Sequence, residues 1–341
     1  MVVRVHPRGP FFIMLDFHRR LKLDVYGESH GPVIGMRLYG FPGKFEVDFD
    51  ELQALLERRA PGRDPLSTSR REPDVPEFLS GFKDRLTTGN VIEAVIRNKD
   101  TKPGDYEKTI PRPGHADYPA WVKYGKIPSG GGAFSGRMTA PMCIAGGLCL
   151  QWLERERGIR VAASLVEVGG KRDGFDETIS AAKLEGDSIG GIIEARAEGL
   201  PVGVGGPMFD GVESKLAAAL FGVPGVKGVE FGQGFKLAEM RGSEANDPYR
   251  IQGGQVVCTS NNNGGLLGGM TDGMPLVVRV AMKPTPSIYK LQQSVDLVAK
   301  ENAEFSVRGR HDPCIAKRAV PVVEALVGFV LMDLVLSSIH K

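Results

Sequence analysis

The sequence predicts an α+β fold in which two similar halves each combine antiparallel strands with a long helix. Three observations lead to this prediction: similar segments recur in the same order, strand-like runs accompany them, and a long apolar helix closes each half. The composition, 42% hydrophobic and 25% charged over 341 residues, is typical of a globular chain. We therefore expect one internally duplicated domain, a β-α-β sandwich with the long helices packed between antiparallel sheets, its halves at about residues 21–157 and 180–341.

The first repeated segment predicts a strand followed by a helix. ESHGPVIGMRLYGFP (28–42) and DSIGGIIEARAEGLP (187–201) share six of fifteen residues without a gap. Each leads into a stretch with helical leucine spacing and an Asp near its start, DFDELQALLERR (48–59) and FDGVESKLAAALFG (209–222). Both halves should therefore contain this strand and an amphipathic helix.

The second repeated segment predicts a further strand in each half. TTGNVIEAVIRNK parallels TDGMPLVVRVAMK, and both contain a β-rich run, at residues 91–96 and 276–280. Two long helix candidates follow, at residues 135–155 and 315–340. Because three blocks match in the same order, we favour duplication over coincidence in a glycine-rich chain.

Charge and cysteine content exclude several classes of protein. The formal net charge of +2 does not suit a protein that binds nucleic acid with its whole surface. The four cysteines are scattered without a C-x-x-C pair, as in a reduced cytoplasmic protein. The apolar run 319–339 contains Pro321, Glu324 and Asp333, which favours a buried amphipathic helix over a membrane span. We expect a soluble cytoplasmic protein that binds neither nucleic acid nor membrane.

GESHG (27–31) matches the serine-hydrolase pattern G-x-S-x-G, but its surroundings do not support a nucleophilic Ser29. The preceding LKLDVY (21–26) alternates apolar and polar residues, which predicts a half-buried antiparallel strand and not the buried parallel strand of a nucleophile elbow. In the aligned repeat Ile189 replaces His30, so the scaffold does not require a histidine. We therefore assign the chemistry to His30 and a structural role to Ser29. The sequence contains no H-E-x-x-H, P-loop or G-x-G-x-x-G motif.

Two segments are rich in groups that bind or protonate anions. Arginines crowd residues 58–71, and guanidinium groups bind carboxylate and phosphate through paired hydrogen bonds. A solvated helix end or an RNA contact would have the same composition. RPGHADY places His115 near Asp117 in a loop, where it is either a general acid or an ordinary surface histidine.

Three further segments suit a flavin or phosphate site. SGGGAFSGRMT presents amides, Ser135 and Arg137 at a helix start, although a plain helix cap would look the same. SNNNGGLLGG and KPTPS (283–287) offer amide side chains, open backbone and a lysine to a planar heterocycle and its phosphate. GRHDPC places Asp312 beside positive charge, which keeps the carboxylate ionised and able to act as a base.

These segments, in this order, resemble the chorismate synthase family from about residue 21 to the C-terminus. GESHG, RREPD, RPGHADY, GGG-x-x-S-x-R-x-T, N-x-GG-x-x-GG, KPT and GRHDPC are specific as a set, not singly. The resemblance implies the chorismate synthase fold and the last step of the shikimate pathway, anti-1,4-elimination of phosphate from 5-enolpyruvylshikimate 3-phosphate. It also implies reduced FMN as cofactor, without net redox change, and a homotetramer. NADPH would act only indirectly, through an external flavin reductase, since no dinucleotide motif is visible.

The resemblance also implies roles for individual residues. His30 would keep the reduced flavin correctly protonated, His115 would assist the departing phosphate, and Asp312 would help to remove the ring proton. The substrate-binding positions are Arg59, Arg63 and Arg137. The flavin-binding positions are Ser135, Arg137, Asn262, Asn263, Gly268, Lys283, Pro284, Thr285, Pro286, Ser287 and Arg310. No metal site is expected.

The sequence departs from the family pattern in three places. GGGAFSGRMT stands where the family usually has GGGRSSARET, so an arginine, a serine and a glutamate are missing. Pro65 stands where many members have an arginine, and Arg63 is a candidate substitute. Residues 1–20 lack the usual opening of the family.

Two other functions stay open at this point. One is an inactive paralogue that binds flavin or a phosphorylated metabolite as a sensor, which the presence of His30, His115 and Asp312 disfavours. The other is an RNA-binding protein that uses the arginine cluster. An aromatic content of 7% without an interleaved aromatic–basic module disfavours it.

Overall fold

The computed structural model describes residues 2–4, 12–17, 19–62, 65–68, 70–100, 108–307 and 311–338. The strands up to Arg97 are β1 (Val2–Arg4), β2 (Phe12–Asp16), β3 (Lys22–Gly27), β4 (Val33–Tyr39), β5 (Glu77–Ser80), β6 (Phe82–Lys83), β7 (Leu86–Thr87) and β8 (Ile92–Arg97). The helices up to Arg157 are α1 (Phe49–Arg59), α2 (Asp117–Tyr124) and α3 (Thr139–Arg157).

The remaining strands and helices lie between Arg160 and Ser338. The strands are β9 (Arg160–Val168), β10 (Gly191–Glu198), β11 (Val226–Phe231), β12 (Tyr249–Gln252), β13 (Gln255–Cys258), β14 (Leu266–Leu267), β15 (Met270–Thr271), β16 (Leu276–Met282), β17 (Gln292–Asp296) and β18 (Glu301–Phe305). The helices are α4 (Phe175–Leu184), α5 (Val212–Leu220), α6 (Gly242–Ala245) and α7 (Ile315–Ser338).

Two large antiparallel sheets share the topology of four strands, and the first sheet has two further strands at one edge. The first has the strand order β1-β2-β3-β4-β8-β5 and the second β9-β10-β16-β11 when read in the same direction. In the first, Lys22 pairs with Tyr39 across β3 and β4; in the second, Arg160 pairs with Glu198 across the corresponding strands β9 and β10. The series β3, β4, α1, β5, β8, α3 therefore recurs as β9, β10, α5, β11, β16, α7. This supports the duplication inferred from the sequence.

The same hydrogen bonds recur at aligned residues of the two halves. The Thr87 hydroxyl donates to the Pro42 carbonyl over 2.7 Å and accepts from the amide of Phe45. The Thr271 hydroxyl donates to the Pro201 carbonyl over 2.6 Å and accepts from a backbone amide, that of Val204. Both threonines are buried, where an unpaired hydroxyl would be costly. This explains why a Thr and a Pro are among the residues that the two halves share.

The long helices lie between the two sheets, as predicted. Helix α3 packs against β3, β4 and β8, α7 packs against β9, β10 and β16, and the two helices pack against each other. Gly146 and Gly328 lie where the helices approach most closely: a Cβ on Gly146 would overlap the carbonyl of Ala325, and a Cβ on Gly328 would lie 2.6 Å from Leu150 Cδ2. The halves therefore share one hydrophobic core.

The predicted α+β class is confirmed, with differences at the element boundaries. The expected start of the second half at about residue 180 leaves out β9, which the structure places in the second sheet. The helix predicted from residue 135 begins at Thr139, because the glycine loop before it forms two short 3-10 turns. Within residues 1–20, β1 and β2 extend the first sheet from the edge of β3.

Helix α7 is the one helix in the described part of the chain that is long and apolar enough to cross a membrane, and 89% of its most apolar window is buried inside the protein. Its burial extends to nearly all sides from Pro321 to Val335, so the expected amphipathic character is wrong. Pro321 lies inside the helix without ending it. The two carboxylates that argued against a membrane span have partners in the first half: Glu324 accepts two hydrogen bonds from Arg58, and Asp333 accepts from two backbone amides.

Candidate active site

A cavity of about 610 Å³ opens between the two halves, within the 300–1,000 Å³ range of small-molecule sites. Residues that follow the ends of strands and precede α3 and α7 form its wall. The residues singled out from the sequence that line it are His30, Arg59, His115, Ser135, Arg137, Lys283, Pro284, Thr285, Pro286, Ser287 and Asp312. The fold thus brings together segments that are as far apart in the sequence as GESHG and GRHDPC.

The GESHG loop is held by Arg70 from the RREPD segment. The side chain of Ser29 is buried, and its hydroxyl accepts a hydrogen bond from Arg70 Nη1 over 3.1 Å. Arg70 also donates to the Ser29 carbonyl and to the buried carboxylate of Glu72. The Ser29 hydroxyl is thus bound by a guanidinium group, which donates hydrogen bonds and cannot act as a base. The arrangement supports a structural Ser29, while His30 lies on the cavity wall.

His115 is oriented by Asp117 and Arg112. His115 Nδ1 lies 2.6 Å from Asp117 Oδ1, and Arg112 donates to both oxygens of the same carboxylate, from Nε over 2.7 Å and from Nη2 over 2.9 Å. Burial alone would raise the pKa of Asp117, but its hydrogen bonds from Arg112 and His115 hold that pKa well below the ordinary value. An ionised carboxylate only accepts, so Nδ1 of His115 carries the hydrogen and Nε2 is the nitrogen left for a ligand.

Burial also affects the protonation of His115. It lowers the pKa of the imidazole below its ordinary value, and the hydrogen bond to Asp117 opposes this shift. His115 Nε2 would lie 3.2 Å from a Cβ at Gly131, in a loop where Gly130, Gly131 and Gly132 all have positive φ. Glycine at these positions lets the backbone pass close to the imidazole.

Asp312 is a buried carboxylate with both oxygens engaged. Its Oδ1 accepts from the Thr68 amide over 2.9 Å and its Oδ2 from Arg318 Nη1 over 2.5 Å. Arg318 lies on α7, one turn after the GRHDPC segment, and also donates to the Arg59 carbonyl. Asp312 is therefore fixed at the cavity wall by one backbone amide and one guanidinium group.

The KPTPS segment forms the part of the cavity wall next to RPGHADY. Ser287 Oγ accepts from Arg112 Nη1 over 3.2 Å, and Lys283 Nζ donates to the Gly114 carbonyl. Burial, and then the nearby charge of Lys227, lowers the pKa of Lys283. The segment is therefore tied to RPGHADY, and the cavity has a cationic edge here.

Several predicted site residues do not line the cavity. Asn262, Asn263 and Gly268 lie outside its wall, and the two amides are engaged elsewhere: Asn262 Nδ2 donates to the Glu244 carbonyl and Asn263 Nδ2 to Asp247. Their flavin role is therefore not supported within one chain. Arg63 and Arg310 lie outside the described residues.

Sequence reasoning overlooked other cations in the wall. Arg112 was passed over beside its histidine neighbour, and Lys227 and Arg318 belong to no segment that had been singled out. The only signal for Arg318 was its position one turn into the last helix, on the side of GRHDPC. Among the described residues, the lining contains seven Lys or Arg side chains, Arg59, Arg70, Arg112, Arg137, Lys227, Lys283 and Arg318, and a single carboxylate, Asp312.

Three buried polar atoms of the lining have no hydrogen-bond partner among the described residues. They are Arg137 Nη2, Thr285 Oγ1 and His311 Nε2. Burial lowers the pKa of His311 to about 3, so its imidazole is neutral at physiological pH. Since unpaired buried polar groups are costly, these atoms are suited to hydrogen-bond a ligand. Together with the cationic wall they fit a phosphorylated heterocycle such as FMN.

Comparison with known proteins identifies similar chains over nearly the full length. The family model described as chorismate synthase matches residues 21–336. The chorismate synthase of Korarchaeum cryptofilum is 44% identical, covering 95% of this chain and 98% of that protein; that of Thermococcus kodakarensis is 46% identical, covering 92% and 95%. A solved structure titled "Crystal Structure of Chorismate Synthase" superposes with a TM-score of 0.74 at 27% identity, covering 95% of this chain and 94% of the other.

Proposed function

The chain belongs to the chorismate synthase family, and on that premise we propose that it is a carbon–oxygen lyase that eliminates phosphate from 5-enolpyruvylshikimate 3-phosphate to form chorismate. The observation that carries the proposal is the cavity wall, whose described residues include seven cationic side chains, one carboxylate and three histidines, His30, His115 and His311. This substrate has two carboxylates and a phosphate, and FMN adds a second phosphate. Such a set of anions matches clustered cations in a protein of net charge +2.

The arginines bind and orient the substrate. Arg59 and Arg137 are buried side chains at the wall, and Arg137 Nη2 has no hydrogen-bond partner among the described residues. A carboxylate or phosphate placed there would receive charge-assisted hydrogen bonds. Binding at these groups fixes the ring of the substrate relative to the histidines.

His115 is the proton donor to the departing phosphate in this proposal. Its neutral form is favoured in the buried cavity, and a phosphate dianion next to Nε2 would favour the imidazolium. Asp117 then stabilises the added charge through Nδ1. Asp312, held in place by Thr68 and Arg318, is the carboxylate of the wall that would accept the ring proton.

Reduced FMN is the cofactor that we propose for the site. Ser135, Arg137 and Lys283 to Ser287 would hold it, among them the Thr285 hydroxyl, which has no hydrogen-bond partner in the described part of the chain. His30 at the wall would hold a proton near its ring. When bound, the reduced flavin supplies the electron-rich ring that the elimination requires without net redox change. NADPH would serve only an external reductase, and we propose a cytoplasmic homotetramer.

An anaerobic assay tests the proposal. Purified protein is mixed with 5-enolpyruvylshikimate 3-phosphate and dithionite-reduced FMN, and chorismate absorbance and phosphate release are followed. We expect equal amounts of chorismate and phosphate, no product with oxidised FMN, and a loss of about 10²-fold or more in kcat for His115→Ala, the contribution of general acid catalysis.

A flavin-binding protein that releases no phosphate would contradict the lyase function. That outcome would favour the sensor instead, and the altered glycine loop would be the first candidate for the cause. In this loop Phe134 replaces the family's usual serine, and its ring lies 6.4 Å from that of Tyr124 at the cavity wall.

A further inference from the structure

Asp74, the last residue of RREPD, has no role in the proposed reaction so far, yet it is one of the most buried carboxylates in the described chain. Its side chain is fully buried, and its backbone has φ of 52°, an unfavourable value for a residue with a Cβ. Burial alone would raise the pKa of Asp74, but Arg59 and Arg137 hold it below the ordinary value. A buried charge in a strained backbone persists only where the surroundings require it.

The two oxygens of Asp74 hold two different arginines. Oδ2 accepts from Arg59 Nη1 and Oδ1 from Arg137 Nη1. The other ends of both guanidinium groups are also fixed: Arg59 Nε donates to Thr139 Oγ1 over 3.1 Å, and Arg137 Nε donates to Asn98 Oδ1 over 3.0 Å. Neither arginine is therefore free to turn away from the cavity.

The arrangement of Asp74, Arg59 and Arg137 leaves one hydrogen-bond donor unused among the described residues. Arg137 Nη2 is buried without a hydrogen-bond partner among the described residues, and the carboxylate of Glu72 lies 3.8 Å from it, beyond hydrogen-bond distance. Glu72 balances part of the charge of Arg137 at that distance, but it leaves the hydrogen-bonding capacity of Nη2 unused. An incoming oxyanion would satisfy the unpaired donor.

We propose that Asp74 is a positioning residue that holds Arg59 and Arg137 side by side as a preformed site for one oxyanion, a carboxylate or a phosphate. The inference rests on the proposed function for the identity of the ligand, and it assigns Asp74 no contact with the reacting atoms. Preorganisation of this kind reduces the entropy lost when the ligand binds. Without Asp74, two like charges would repel each other and spread apart.

The test measures ligand binding to an Asp74→Asn variant separately from activity. Calorimetry with 5-enolpyruvylshikimate 3-phosphate alone, and in a second arm with FMN alone, gives the Kd of each ligand in wild type and variant. We expect at least a tenfold weaker Kd for the ligand whose oxyanion occupies the pair. In the full assay we expect KM for that ligand to rise by a similar factor, with a smaller change in kcat.

Asp333→Asn is the matched control, because Asp333 is an equally buried carboxylate that accepts from the backbone amides of Arg20 and Leu21 and not from the cavity arginines. Its Kd values should equal those of the wild type. Unchanged Kd for both ligands in Asp74→Asn would overturn the inference. If that variant does not fold, Asp74→Glu takes its place, because it keeps the charge and displaces it by one methylene. Loss of the folded state in both variants would make Asp74 purely structural and overturn the inference as well.

These outcomes separate the inference from the proposed function. A wild-type protein that binds the substrate but releases no phosphate contradicts the lyase reaction, while the Kd comparison still tests Asp74. If the wild type forms chorismate and the Asp74→Asn variant has the same KM as the wild type, only the inference about Asp74 is contradicted.

Discussion

Nδ1 of His115 has two polar neighbours, Asp117 Oδ1 and, 3.1 Å away, Arg112 Nη2, and the ionised carboxylate decides the tautomer. Asp117 accepts the Nδ1 hydrogen over 2.6 Å, and Arg112 holds the carboxylate in place from the other side. The histidine therefore presents Nε2 to the cavity with a defined orientation. The spacing in RPGHADY revealed that an acid and a base were close, but two residues of separation in a loop do not determine which atoms meet. That information exists only in the folded loop.

We predict that Asp117→Asn lowers kcat by about 10²-fold, within the range of general acid catalysis. The hydrogen bond to Asp117 raises the pKa of His115 against the effect of burial, so its loss lowers that pKa further. If the protonated imidazole is needed, the alkaline limb of the kcat–pH profile moves to lower pH. The measurement is that profile for wild type and variant under saturating reduced FMN.

Asp24→Asn is a suitable control for this prediction. Asp24 hydrogen-bonds Tyr39 on the first sheet and does not line the cavity, so its profile should match the wild type. An unshifted alkaline limb in Asp117→Asn, with kcat near normal, would show that Asp117 does not set the proton donor.

At the scale of elements, α7 joins the N-terminal segment to the core through Asp333. The carboxylate is fully buried; its Oδ1 accepts from the amides of Arg20 and Leu21, and its Oδ2 has no partner among the described residues. Burial raises the pKa of Asp333 despite these two bonds. A carboxyl group whose pKa is raised on folding stabilises the protein below its unfolded pKa. That contribution is lost as pH rises through the folded value.

We therefore predict that Asp333→Asn is more stable than the wild type at pH 8, by an amount on the order of 1 kcal/mol. The amide oxygen still accepts both backbone hydrogen bonds, and no buried charge is left. The advantage should shrink as pH falls through the raised pKa, where the wild-type carboxyl is also neutral. Urea unfolding at a series of pH values measures this difference, and an advantage that grows toward acid pH would contradict the assignment.

At the scale of the whole molecule, the sequence predicts those features that depend on residues close together in the chain or within one half. The alternation of apolar and polar residues in LKLDVY predicted its strand. The aligned Thr and Pro residues indicated the repeat, because each Thr–Pro pair forms a hydrogen bond within its own half. Strand β9 escaped prediction because RVAASLVEV lacks a matching letter pattern in the first half, although it occupies the place of β3. The convergence of Arg59, Arg112 and Arg318 on one cavity depends on how the halves pack, which no periodicity encodes.

That packing can be tested at Gly146, where α3 and α7 meet. A Cβ there would overlap the backbone carbonyl of Ala325, which cannot rotate away, so Gly146→Ala should force the helices apart. We predict a loss of about 1–3 kcal/mol in the free energy of unfolding, the usual cost of overpacking, in spite of the higher helix propensity of alanine. Because the cavity lies between the halves, the Kd for 5-enolpyruvylshikimate 3-phosphate should rise as well.

Gly147→Ala is the matched control one residue along the same helix. A Cβ at Gly147 would lie 2.5 Å from Leu52 Cδ1 and 2.9 Å from Leu55 Cδ2, the ends of side chains that can change rotamer. Helix propensity favours alanine by roughly 1 kcal/mol and offsets part of that adjustment, so the control should lose less stability than Gly146→Ala. Equal losses in the two variants would show that the helix contact does not set the relation between the halves. A loss of stability without a change in Kd would show that the cavity tolerates their displacement.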